Sequence, residues 1–164
     1  MTYCELGCGQ GFSANLLAAA NPQVEFHAMD FNPAHMVGAA NLARDAELEN
    51  VHFHERSFED FGDAPGLPQE FDVIALHGVY SWVSKEHQQH ITDFISKRLK
   101  SGGMVYISYN TLPGWAPVMP LRRVLTNRAD QSAGPLDQRI KEAMEYGQQL
   151  EQSGAGYFAG NPAA

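Results

Sequence analysis

The chain reads as an α/β fold: a doubly wound parallel sheet with a helical segment at its C-terminal end. Two observations predict this. Short apolar runs alternate with helical patterns five times, the signature of strands joined by helical crossovers. The first run also passes directly into a glycine-rich turn, Glu5-Leu6-Gly7-Cys8-Gly9-Gln10-Gly11. The length of 164 residues and a hydrophobic fraction of 44% suit one compact domain with a sizeable core.

The elements follow in order. Tyr3 to Leu6 is a short buried strand, and Gly11 to Ala20 is a helix that Asn21-Pro22 stops. Val24 to Met29 is a second strand closed by Asp30. Asn32-Pro33 then starts a helix reaching about Asp45, with Asn as the cap and Pro in the first turn. Val51 to His54 is the third strand. Phe58 to Phe61 is one helical turn, and Gly62 to Gln69 is a loop rich in Pro and Gly. Phe71 to Leu76 is the fourth strand. Ser84 caps a helix whose Ile91, Phe94, Ile95 and Leu99 keep the helical period. Ser101-Gly102-Gly103 ends that helix, and Met104 to Tyr109 is the fifth strand. Such alternation requires right-handed crossovers with helices on both sheet faces. From Leu112 the chain turns Pro-rich, and two helices follow. In the second, Leu136, Ile140, Met144 and Leu150 lie on or near one face. Gly154 to Ala164 is rich in small residues and is expected to be poorly ordered. The expected division is 1–115 for the sheet domain and 116–164 for the helical segment.

Composition narrows the function. The formal charge is −8, whereas nucleic-acid binding wants clustered Lys and Arg; no nucleic-acid partner is expected. Lys97-Arg98-Lys100 and Arg122-Arg123 read as solvated helix faces. No apolar run reaches the roughly 20 residues of a membrane helix, and the N-terminus shows no signal-peptide pattern, so the expected location is cytoplasmic. Cys4 and Cys8, the only cysteines, suit packing better than a bridge.

The glycine turn carries the chemistry. A sharp strand-to-helix turn needs glycine's backbone freedom, and the helix N-terminus offers free N–H groups to an anionic or carboxylate group. A Rossmann-type dinucleotide loop reads G-x-G-x-x-G; this one reads G-x-G-x-G at Gly7, Gly9 and Gly11, with Glu5 before it. The closer third glycine suits the amino-acid end of S-adenosylmethionine better than a pyrophosphate, and Glu5 can face the positive amine or sulfonium. Asp30, closing the second strand, can accept both ribose hydroxyls, and Phe31 can lie against the adenine. Ser57 and Phe58 can supply a neutral acceptor and an apolar wall for the adenine, although Phe58 could equally cover the core.

Sheets of this kind bind ligands beyond the carboxyl ends of their strands. His77, Tyr80 and Trp82 follow the fourth strand; Tyr109, Asn110 and Trp115 lie at the end of the fifth and beyond. Methyl transfer from sulfonium chiefly needs alignment and desolvation. Tyr80 and Asn110 are the candidate catalytic residues, orienting an amine through oxygen acceptors. His77 is grouped with the cofactor residues and could also act as a base. A packing aromatic or a satisfied loop polar group is the competing reading for each. His52 and His54 share a strand face, and His87 and His90 share a helix face. With no carboxylate or third ligand beside either pair, both read as surface histidines and no metal is expected.

The motifs ELGCGQG at 5–11, Asp30-Phe31-Asn32-Pro33, FDVIALHGVYSWV at 71–83 and LKSGGMVYISYNTLPGW at 99–115 together resemble the class I methyltransferases over residues 1 to about 115. By that resemblance Glu5, Gly7, Gly9 and Gly11 fall on the cofactor loop, Asp30 on the ribose-binding acid and Ser57-Phe58 on the adenine motif, where the family usually has Asp in place of Ser57. HGVYSWV, YISYNTLPGW and GAGYFAGNPAA at 154–164 are similar to bacterial methyltransferases with a methyltransferase regulatory domain, a group that includes protein-lysine methyltransferases. The resemblance implies an S-adenosylmethionine cofactor, a protein-lysine or small-molecule amine acceptor, and a helical insertion near the substrate after Trp115. The family fold has seven strands and residues before the first. Five are read here, so the chain is expected to be truncated at both ends, with an uncovered edge. Two alternatives stay open: a non-catalytic cofactor-binding fragment, and a nicotinamide-dependent oxidoreductase.

Overall fold

The computed structural model describes residues 1–161. They form two units, Met1–Tyr109 and a second that begins at Asn110. The first contains β1 (Thr2–Leu6), α1 (Phe12–Ala20), β2 (Glu25–Asp30), α2 (Pro33–Asp45), β3 (Val51–Glu55), β4 (Phe71–Leu76), α3 (Lys85–Arg98) and β5 (Leu99–Ile107). The strands form one sheet in the order β3-β2-β1-β4-β5, and every pairing is parallel. This is the expected Rossmann-like architecture. Two crossovers step outward from β1 through β2 to β3; the chain then returns across β1 to lay down β4. The strand order therefore reverses between β1 and β4, where folds of this type open a crevice.

Local chemistry sets the boundaries. The Asn32 side chain accepts from the Ala34 N–H at 3.0 Å, with Pro33 in the first turn of α2. Ser84 caps α3 by accepting from the His87 N–H at 3.2 Å. The expected turn at Phe58 to Phe61 is shifted: a short 3-10 helix spans Phe61–Asp63. The start of β5 also differs. Pairing begins at Leu99, opposite Phe71, and resumes at Met104, opposite Val73. Residues 100–103 bulge from the ladder through Gly102 at φ +80°, instead of stopping the helix ahead of the strand. A side chain at Gly103 would collide with backbone, its Cβ falling 2.9 Å from the Lys100 carbonyl oxygen.

Alternation sends each strand's side chains to two layers. Cys4, Leu6, Met29, Ile74 and Leu76 meet Ile91 and Phe94 of α3, together with Phe61 and Phe71. On the other face Ala28 packs with Ala14 of α1 and with Met36 and Ala39 of α2, and Ala18 with Val24 and Phe26. Both cysteines are buried free thiols, and burial pushes Cys8 up to about 12.

Two readings of polar residues are corrected. Arg98 is not a solvated helix residue: its guanidinium donates to the carbonyls of Gly62 and, at 3.2 Å, of Pro68. It thereby ties down the loop ahead of β4, while Lys100 pairs with Asp72 at 2.9 Å. His54 is not a surface histidine either. It is half-buried, and its Nε2 lies 3.2 Å from Nδ1 of His27, a β2 residue only 4% exposed. Burial lowers His27 to about 4, which holds its ring neutral against Phe71, 5.8 Å away edge-on.

In the second unit α4 (Met119–Gln131) and α5 (Leu136–Gln152) pack together, and α6 (Gly156–Gly160) follows. Close approach occurs at Gly147, where a Cβ would lie 3.0 Å from a Leu125 methyl. Leu136, Ile140 and Met144 are exposed, whereas Ala143 is the buried residue of α5; the α4 contact is made one position away from the apolar stripe. The disorder expected for 154–164 does not extend over 156–160, which are helical; positions 162–164 lie outside the described residues. Among the described residues no helix is long and apolar enough to cross a membrane.

Phe71 is fully buried between His27 and Phe94. Phe71→Ala is expected to cost about 3–5 kcal/mol by urea denaturation, while Val37→Ala on the exposed side of α2 should change stability by less than about 0.5 kcal/mol.

Candidate cofactor and active site

The turn leaving β1 is fastened to the end of β2. The N–H groups of Gly7 and Cys8 both donate to the Met29 carbonyl at 2.9 Å, and the Gly9 N–H donates to Asp30 Oδ2 at 3.0 Å. The two elements that sequence reasoning assigned to one ligand are therefore in direct contact. Gly7, Gly9 and Gly11 all have positive φ, but space at the three differs. A Cβ on Gly7 would lie 2.7 Å from Val79, and one on Gly11 would lie 2.5 Å from Ala39; one on Gly9 would meet nothing within 4 Å. Gly7 and Gly11 serve internal packing. Gly9 faces open space.

Beside this loop lies a cavity of about 680 Å³, lined by residues that include Gly7, Asp30, Phe31, Ser57, Phe58 and Trp82. Its size falls in the range of small-molecule sites. Asp30 is nearly buried; its Oδ1 accepts from the Asn32 N–H at 2.9 Å and meets His35 Nδ1 at 3.3 Å. A carboxylate has about four lone-pair sites, so Oδ2 retains acceptor capacity. Phe31 is 74% exposed at the cavity wall. Phe58 serves in both ways that the sequence allowed: it lines the cavity and packs against the core. Ser57 is more committed than expected, since its Oγ donates to Asp60 Oδ2 at 2.9 Å and accepts from the Asp60 N–H at 3.2 Å.

Glu5 and His77 are not among the lining residues of this cavity. Glu5 is 4% exposed. Its Oε1 accepts from Ser13 Oγ of α1 at 2.6 Å, while Oε2 is buried without a hydrogen-bond partner. Burial raises its pKa, opposed by the Ser13 hydrogen bond and by the nearby His77. A buried, half-satisfied carboxylate is costly and fits a ligand that brings a cationic N–H. His77 stacks on Tyr106 at 6.3 Å, and its Nδ1 lies 3.5 Å from Ser108 Oγ. Ser108 also accepts from the Gly78 N–H at 2.7 Å. Tyr80 packs against the α3-side core, its carbonyl accepting from Gln88 at 2.8 Å; it does not line the cavity. Asn110 opens the second unit.

Sequence reasoning missed Ser13, Met29, Arg56, Val83 and Ser84 as site neighbours. Ser13 had a readable signal, lying two residues past the glycine turn on the first turn of a helix. Arg56, just past β3, had none.

The chain is 49% identical over 160 residues to the uncharacterized protein sll1526 of Synechocystis sp., covering 98% of this chain and 31% of that protein. It is 35% identical over 121 residues to the uncharacterized protein RP028 of Rickettsia prowazekii, covering 74% of this chain and 47% of that one. The chain thus spans less than half the length of these relatives. Among solved structures it is similar to PKMT2 from Rickettsia typhi in complex with AdoHcy, with a TM-score of 0.68 and 30% identity over 84% of this chain and 26% of that one. Residues 1–155 match the family described as "Methyltransferase domain", and the chain belongs to that family.

Proposed function

We propose that this protein binds S-adenosylmethionine in the cavity beside the glycine turn and transfers its methyl group to an amine, with a protein lysine as the acceptor. One observation carries the reading: the Gly9 N–H meets the Asp30 carboxylate at 3.0 Å, so the glycine turn and the ribose acid border one small-molecule space. The complex of PKMT2 from Rickettsia typhi with AdoHcy, the product form of that donor, supports it. The glycine spacing and the family membership argue against the nicotinamide alternative.

The residues divide the work. Asp30 offers carboxylate acceptors to the ribose hydroxyls, Phe31 and Phe58 an apolar wall to the adenine, and Ser57 its remaining acceptor capacity. Gly9 leaves room for close approach. Glu5 Oε2, otherwise unpaired, accepts from the ammonium end. The bound cofactor supplies an activated methyl group on a sulfonium sulfur. Trp82, 61% exposed on the cavity wall, offers a face for an alkyl-ammonium chain. The net charge of −8 favours encounter with a basic protein.

Three outcomes are expected. Asp30→Asn should weaken S-adenosylhomocysteine binding in calorimetry by about 1.5–3 kcal/mol, the value of a charged hydrogen bond. Gly9→Ala should weaken it while costing only about 1–2 kcal/mol of stability, the strain of positive φ. Unaltered affinity in both variants would remove the site.

The second concerns Glu5. Because burial raises its folded-state pKa, the folded protein holds this proton to higher pH than the unfolded chain does. Its stability contribution is therefore greatest below the unfolded carboxyl range and is lost as pH rises through the folded value. Glu5→Gln should raise the Tm of the ligand-free protein at pH 7, give no gain near pH 4, and weaken cofactor binding. A Tm difference independent of pH would contradict this.

The third concerns transfer. The purified protein, given methyl-labelled S-adenosylmethionine and a lysine-rich protein, should label that protein, and prior acetylation of its lysines should abolish the labelling. Binding without labelling would remove the lysine reading and leave the cofactor site standing.

A further inference from the structure

The sheet carries a second polar cluster away from the cofactor cavity. Parallel pairing sets His27 beside His52, and alternation puts Glu25 on the same face of β2 as His27. Glu25, His27 and His52 each offer one ligand atom, and these atoms lie within 4.8 Å of one another. The Glu25 carboxylate already meets His52 Nε2, and the His27 and His52 rings are 4.9 Å apart. The carboxylate and third ligand that the sequence did not place beside His52 are thus supplied by the neighbouring strand.

We propose that Glu25, His27 and His52 form a divalent transition-metal site, with Zn²⁺ as the expected ion, that ties the edge strand β3 to β2. Two imidazoles and a carboxylate, with no thiolate, form a zinc set that leaves a fourth position for water. With bonds of about 2.1 Å, tetrahedral ligand atoms stand about 3.4 Å apart. Rotation of the half-exposed Glu25 and His52 side chains closes that gap, since His27 is fixed by burial. His54 supplies the outer contact. When His27 donates its Nδ1–H to His54 Nε2, at 3.2 Å, its own Nε2 keeps the free lone pair and its ring is held in orientation. Magnesium is not expected, because it demands oxygen ligands in an octahedron.

Calorimetric titration of chelator-treated protein with ZnCl₂ tests the site. A saturable event with one ion per chain is expected, with no heat from MgCl₂ at the same concentration. Co²⁺ in place of Zn²⁺ should give the visible absorption of a four-coordinate ion. His52→Ala and Glu25→Gln, both at half-exposed positions, should keep the circular dichroism of the parent. They should weaken Zn²⁺ binding by about tenfold or more, and His54→Asn by roughly tenfold. No saturable Zn²⁺ binding, or binding that the His52 and Glu25 variants leave intact, would overturn the assignment, since the ion would then sit elsewhere.

Discussion

The site depends on one small set of hydrogen bonds, those that hold the turn after β1 to the end of β2. Two N–H groups share the Met29 carbonyl and a third takes the Asp30 carboxylate. Neutral hydrogen bonds contribute about 0.5–1.5 kcal/mol each and one to a charged group about 1.5–3. Together they amount to a few kcal/mol, a large share of the 5–15 kcal/mol typical of a whole domain. Their geometry is not local. It follows from the register that sets Leu6 against Met29, which in turn follows from the apolar faces of both strands. A slip of one residue would turn Cys4 and Leu6 away from Phe71 and Ile91, and would carry the glycine turn away from Asp30.

What was legible in the sequence was what neighbouring residues decide. The Asn32-Pro33 helix start, the Ser84 cap, the sharp glycine turn after β1 and the extent of β4 are local properties, and each is found where the pattern put it. The contact of Asp30 with the glycine turn was legible because Asp30 closes a strand at a recognisable distance from a glycine loop. What could not be read depends on partners far along the chain. Arg98 looked solvated because its acceptors, Gly62 and Pro68, lie more than 25 residues upstream. The bulge of β5 needs Phe71 and Val73 to define it. His27 drew no attention as a residue inside an apolar run, and His52 and His54 appeared isolated until strand register set all three together.

The sheet also separates two polar demands. Asp30 lies at the carboxyl end of β2 beside the cavity, while Glu25 lies at the opposite end of the same strand. By alternation Asp30 and Glu25 also belong to opposite faces of the strand, and on the Glu25 face Met29 belongs to the apolar core. One strand of six residues thus serves a candidate ligand site at one end and a candidate metal site at the other.

The glycine triplet shows how packing and ligand binding can be told apart in one motif. Positive φ at all three positions explains why glycine is cheap there, but not why side chains are excluded. At Gly7 and Gly11 the protein's own atoms exclude them: Val79, and Ala39 with Phe53, stand within 3 Å of where a Cβ would be. At Gly9 no protein atom does so, although the residue sits at the centre of the turn with its N–H engaged by Asp30. Glu5 presents the complementary case, a buried oxygen with no protein donor. Room that the fold does not fill and an acceptor that the fold does not satisfy occur within five residues of each other. Internal packing accounts for neither, and it is on these two features that the proposed binding of a ligand with a cationic N–H rests.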